Sequence, residues 1–172
     1  MKKQILRFFR GFRYAFNGIF YALHTQKNMR FHASLMAFMF FFLLRYDFFE
    51  ISRGQFAVLA LTCGIVLSLE FMNSSIEAVV DLVSPEYNRL AGIAKDTAAG
   101  AVLMSAIAAV VVGVIIMFQP KAFSAMGQFY ATHIGELVIV IAAVIAAVIW
   151  IFFPRPGVKD QAKDKKDKKG KK

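Results

Sequence analysis

An all-α integral membrane protein is the fold class this sequence predicts, and three observations predict it. Of its 172 residues, 58% are apolar and only 19% are charged, against roughly 45–50% and about 25% in an average soluble domain. The apolar residues come in runs with almost no charge inside them. The clearest, Thr97 to Phe118, holds 22 uncharged residues, close to the roughly 20 that a spanning helix needs. Third, the formal net charge of +10 gathers near the chain ends and in short connections, as it does where membrane proteins face the cytosol and anionic lipid. A single cysteine, Cys63, excludes a disulfide framework and any cysteine-rich zinc or iron–sulfur site within one chain.

Residues 1–30 form the first element. Ile5, Phe8, Phe9, Phe12, Phe16, Ile19 and Leu23 recur every three or four positions opposite Lys3, Arg7 and Arg10, the pattern of an amphipathic helix. It is too charged to cross a bilayer, and a basic face over a Phe-rich underside suits a helix lying in the membrane interface. A signal peptide fits badly, because no continuous apolar region or small-residue cleavage site follows the charges.

Residues 31–118 are expected to hold three spans. Phe31 to Leu44 is an uncharged run of 14, extended through Tyr46, Phe48 and Phe49; it is short for a span. The second starts at Gln55 and meets no helix breaker until Ser84 and Pro85, so one long helix carries Glu70, Glu77 and Asp81. Thr97 to Phe118 is the third, ended by Gln119 and Pro120. Residues 119–157 are expected to be a loop and an additional span from about Ile134 to Phe153, stopped by Pro154 and Pro156. Residues 158–172 carry eight lysines and three aspartates with nothing apolar to fold around, so a disordered tail is expected there, anchoring the chain at the inner surface. No nucleic-acid partner is expected.

Orientation follows from Lys and Arg. With four spans and both termini inside, 18 of the 21 basic residues lie on the cytosolic side. A multi-pass protein of the cytoplasmic membrane is the expectation.

Chemistry concentrates in Glu70-Phe71-Met72-Asn73-Ser74-Ser75-Ile76-Glu77-Ala78-Val79-Val80-Asp81. At about 100° per residue, Glu70, Glu77 and Asp81 fall within roughly 40° of one another with Asn73 beside them, over about 16 Å of helix. Ionisable groups at membrane depth are costly and mark ion paths, relays or catalytic sites; the bland alternative is a wet face outside the bilayer. Ala94-Lys95-Asp96 follows across a short connection. The lysine is either the counter-ion of the carboxylates or a ligand for anionic substrate, and carboxylates with phosphate oxygens suit Mg²⁺. No Walker-type loop and no G-x-G-x-x-G is present, so the ordinary soluble ATP folds are excluded. His24, His32 and His133 lack metal-ligand spacing. Ala101, Ser105, Ala109 and Gly113 make a small-residue ridge that lets helices approach closely.

The E-x-x-N-[ST]-x-I-E-x-x-V-D pattern of Glu70 to Asp81, then Ala94-Lys95-Asp96 and Ala101-Val102, resembles the small prokaryotic diacylglycerol kinase family, which includes undecaprenol kinases. Tyr14-Ala15-Phe16-Asn17-Gly18 and Asn28-Met29-Arg30-Phe31-His32 are similar to its surface-helix and N-F-R-I-H segments. The resemblance covers about residues 10 to 118. It implies a three-span kinase core, a homotrimer with shared active sites, ATP as co-substrate, Mg²⁺, and transfer of phosphate to the hydroxyl of diacylglycerol or undecaprenol at the cytosolic interface. By motif position, Glu70 is implied as general base and Glu77 as Mg²⁺ ligand. Asn73, Ser74 and Arg30 are implied in the polar shell or at the substrate, and Asp81, Lys95, Asp96 and Tyr14 at the nucleotide. One departure stands out: where the family pattern T-E-x-N-F-R has a second metal-binding glutamate, this chain reads Thr25-Gln26-Lys27-Asn28-Met29-Arg30. Gln26 offers a carbonyl oxygen but no charge. From another class, a non-enzymatic membrane protein stays open, either an inactive relative or a proton or cation pathway lined by the acidic stripe.

Overall fold

The computed structural model describes residues 2–153, and those residues form helices joined by short connections, with no strand among them. The helices are α1 Lys2–Thr25, α2 Lys27–Arg45, α3 Arg53–Val83, α4 Arg89–Met117, α5 Pro120–Thr132 and α6 Ile134–Phe152. The protein is an all-α integral membrane protein. Its lysine-rich tail, and the prolines expected to stop the last span, lie outside the described residues.

The helix ends have local causes. Ser52 caps α3 with a reciprocal box, its Oγ accepting from the Gln55 amide at 3.2 Å while its own amide donates to Gln55 Oε1 at 2.9 Å; two otherwise orphaned donors are thereby satisfied. Asn88 caps α4 by accepting from the amides of Leu90 and Ala91. Between α1 and α2 stands a single non-helical residue, Gln26, with extended φ and ψ. Its amide still donates to Ala22 O and its carbonyl accepts from the Arg30 amide, so the chain turns an elbow without losing backbone bonds.

The segment from Gln119 to His133, expected to be a loop, is instead mostly the 13-residue helix α5. Pro120 ends α4 and also starts α5, because proline at the first helical position lacks only an N–H that would have no intrahelical partner there.

Three helices, α3, α4 and α6, are long and apolar enough to cross a membrane. At 31 and 29 residues, α3 and α4 run about 46 and 44 Å at 1.5 Å per residue, well beyond the ~30 Å hydrocarbon layer. They form the most extensive helix pair and are joined by residues 84–88, so both overhang the apolar layer at that shared end. The first expected span, α2, is not among the three. Its first turn holds Lys27 and Arg30, which shortens its apolar length. It nevertheless runs antiparallel beside α6 from end to end. Arg30 reaches Ile151 O at one end, and Tyr46 and Arg45 reach Glu136 at the other. Between the two helices lie apolar cavities of about 330 Å³, lined by residues such as Phe38, Phe41 and Val140, and about 370 Å³, lined by residues such as Leu35, Phe42 and Val148.

The α1 helix meets the rest through its last turns, where Ala22 is buried. Phe8, Phe9, Phe12, Phe16 and Phe20 are exposed, which in an interfacial helix is the surface offered to acyl chains. Along α3 the buried positions are Leu59, Val66, Glu70 and Asn73. Their spacings of seven, four and three keep them on one face, so the apolar seam becomes polar where α3 leaves the hydrocarbon layer.

Candidate active site

Glu70 occupies a position that would suit a leucine. It is 2% exposed, and its Oε2 has no hydrogen-bond partner within the chain. Three residues on, Asn73 is 5% exposed; its Nδ2 donates to Glu77 Oε1 at 3.2 Å, and its Oδ1 has no partner within the chain. One further turn along, Asp81 pairs with Lys95 Nζ across the α3–α4 gap, both side chains about a third exposed (31% and 34%). The stripe therefore grades from buried at Glu70, through half-buried Glu77, to the partly wet Asp81–Lys95 pair. The i, i+3, i+4 geometry of α3 puts Glu70, Asn73 and Glu77 in adjacent turns, and the antiparallel entry of α4 brings Lys95 to Asp81, one turn beyond Glu77.

A buried polar atom without a partner costs about 1–3 kcal/mol, and in native proteins such atoms are few. Two of them, Glu70 Oε2 and Asn73 Oδ1, stand one turn apart on the same face of α3 as unused acceptors. Glu70 Oε2 can accept from an alcohol O–H, and Asn73 Oδ1 can accept a donor or contact a cation. Lys95 supplies positive charge at the wetter end, where a phosphate chain can be reached from water.

The donor set bears on Mg²⁺. Among the described residues no three His, Cys, Asp or Glu side chains come together as a metal site. Glu77 and the unpartnered Asn73 Oδ1 nonetheless match the way Mg²⁺ is held, by one or two protein oxygens with the remaining positions left to water and substrate phosphate.

The other residues implied by resemblance lie on α1, at the α1–α2 elbow, at the start of α2, and next to the stripe on α3 and α4. Tyr14 is exposed on α1, with the Arg13 guanidinium 5.7 Å from its ring. Gln26 sits half-buried at the α1–α2 elbow, where its side chain caps nothing. Asp96 is exposed and Ser74 half-buried. Arg30 is 4% exposed; its Nε and Nη2 donate to Ile151 O at 3.2 and 2.9 Å and its Nη1 to His24 O at 2.9 Å. The tie to α6 carries no sequence signal, because the acceptor is a backbone carbonyl 121 residues away.

Residues 13–117 match the family model described as prokaryotic diacylglycerol kinase. A diacylglycerol kinase of Synechocystis sp. is 46% identical over 111 residues, covering 64% of this chain and 62% of that protein. An undecaprenol kinase of Bacillus subtilis is 35% identical over 120 residues, covering 70% of this chain and 94% of that protein. A diacylglycerol kinase of Escherichia coli is 44% identical over 55 residues, covering 32% of this chain and 45% of that protein. The match thus spans less than two thirds of the Synechocystis and E. coli proteins but nearly all of the B. subtilis one. The family match stops at Met117, so α5 and α6 lie beyond it.

Proposed function

We propose, because this chain belongs to the prokaryotic diacylglycerol kinase family, that it is an ATP-dependent lipid kinase acting on the hydroxyl of a membrane alcohol, diacylglycerol or undecaprenol. The observation that carries the reading is the buried Glu70 carboxylate with an unpartnered oxygen, on the stripe that leads to Lys95.

The alcohol enters sideways from the bilayer at the depth of Glu70, and the nucleotide comes from water at the Asp81–Lys95 end. Glu70 accepts the hydroxyl proton as the alcohol oxygen attacks the γ-phosphorus. The bond from the γ-phosphorus to the β,γ-bridging oxygen breaks, and ADP leaves with that electron pair. Such a transfer needs chiefly in-line placement and charge neutralisation. Lys95 meets phosphate charge, with Asp81 fixing the ammonium until nucleotide competes for it. Asn73 orients Glu77, Tyr14 and Asp96 are assigned to the nucleotide, Ser74 to the polar shell or substrate, and Gln26 to the metal's surroundings. Bound Mg²⁺, held by Glu77 and Asn73 Oδ1, would offset the charge of the phosphates.

The charge bias supports a cytoplasmic-membrane protein with both termini cytosolic. A homotrimer with shared active sites is supported by α4, which among the described residues packs on α3 alone and leaves Leu103, Met104, Ile107, Val110 and Val114 exposed.

The test is transfer from γ-labelled ATP in mixed micelles holding diacylglycerol and undecaprenol in competition. Label in at least one lipid supports the kinase. Label in neither favours the non-enzymatic reading, for which the uncharged Gln26 is the motivating feature.

A further inference from the structure

The helices beyond the family match are not loosely appended. α6 is tied to α2 and the residue after it by polar contacts at both ends. At the end near residue 151, Arg30 spans α1, α2 and α6 through His24 O and Ile151 O, and Lys27 Nζ lies 4.2 Å from the centre of the Phe152 ring. At the opposite end, Tyr46 donates to Glu136 Oε2 at 2.9 Å and Arg45 pairs with Glu136 Oε1 at 3.2 Å. Phe129 and Tyr130 of α5 pack against Tyr46 and Phe48. These contacts fall on α2 and on Tyr46 and Phe48 just after it, and α2 begins at the one-residue elbow from which α1 projects.

We infer that the α5–α6 hairpin is a brace for the α1–α2 elbow and that Arg30 is a positioning residue acting through it, fixing α1 over the nucleotide end of α3. The inference rests on the proposed kinase reading for its consequence, but the brace itself is a statement about geometry.

Three features carry it. The guanidinium fork makes two bonds to one helix-terminal carbonyl and a third to another helix end, a planar three-way fit that lysine cannot reproduce. Ile151 O belongs to the last turn of α6, where carbonyls lack intrahelical partners and a cation is favoured. Between its ends the α2–α6 seam is lined almost wholly by apolar side chains, which carry no directional bond, so the polar ends are the contacts that specify its register. With one non-helical residue, Gln26, between α1 and α2, and α1 meeting the rest through its last turns, loosening α6 lets the outer part of α1 swing, and Tyr14 moves with it.

The test uses the full chain in a Cys63→Ser background, with spin labels at exposed Phe16 on α1 and Leu82 on α3, alongside steady-state kinetics. Two perturbations are compared. Arg30→Gln, with Arg30→Lys beside it, removes the tie at Ile151; Tyr46→Phe with Glu136→Gln loosens the far end, which no nucleotide at Lys95 can touch. Both are expected to broaden the α1–α3 distance distribution. KM for ATP should rise about tenfold for Arg30→Gln and roughly threefold for the far-end pair, with kcat changed less and Arg30→Lys failing to restore either readout. An unchanged distance distribution in both overturns the brace. A KM increase for Arg30→Gln alone, with distances and the far-end variant unaffected, also overturns it and makes Arg30 a direct nucleotide contact. If the wild type transfers no phosphate, the kinase reading fails while the label distances still decide the brace.

Discussion

Replacing Glu70 with glutamine separates catalysis from stability. The substitution keeps side-chain volume at a 2% exposed position, so no cavity opens and the surrounding packing is retained. What disappears is the capacity to take a proton. General-base catalysis contributes typically 10²–10⁴-fold, so kcat is expected to fall by that factor, about 3–5 kcal/mol of barrier, with little change in KM for ATP. Stability should move the other way or not at all, since one oxygen of the carboxylate lacks a partner and a buried, imperfectly satisfied acid is a cost to the fold. The assay pairs label transfer to lipid in micelles with thermal unfolding in the same detergent. An activity within threefold of wild type would refute the reasoning. So would a large loss of stability, which would make Glu70 a structural residue whose loss of activity is secondary.

Lys95→Met should raise KM for ATP roughly tenfold or more, the loss of a charge-assisted contact, while destabilising the fold by only ~1 kcal/mol or less because its pair with Asp81 is a third exposed; measured nucleotide affinity and melting decide it. Gln26→Glu should lower the Mg²⁺ concentration for half-maximal activity by about threefold or more through added ligand charge, and no change would remove Gln26 from the metal's surroundings. Asn88→Ala removes both acceptor contacts to the start of α4 and should cost about 1 kcal/mol of stability with kcat unaltered, read by denaturation.

Much of the architecture was legible in residue order because the relevant forces are local. The 31-residue α3 follows from the stretch Gln55 to Val83 that holds no proline, and the acidic stripe follows from about 100° per residue. The helix α5 was hidden because Pro120 reads as a stop when it is equally a start. The antiparallel docking of α6 on α2 was hidden because its polar ties join positions some ninety and more residues apart, one of them through a backbone carbonyl. In the site, the shared face of Glu70, Asn73 and Glu77 could be read from spacing. That Glu70 retains an unpartnered oxygen could not, since it depends on side-chain conformation and on how closely α4 covers α3. Arg30 shows the same limit: its motif position could not reveal its hydrogen bonds to the helix-end carbonyls of His24 and Ile151.

The central claim is that Glu70 takes a proton from a membrane alcohol as that alcohol receives the γ-phosphate. The most direct measurement compares purified full-length wild type and Glu70→Gln, in bilayers containing diacylglycerol or undecaprenol, for label moved from γ-labelled ATP into the organic-extractable phase. The account predicts label in the lipid for wild type and at least a hundredfold less for Glu70→Gln at equal folded protein, as typical of a lost general base. Equal label for the two proteins, or none for either with both lipids, would contradict it.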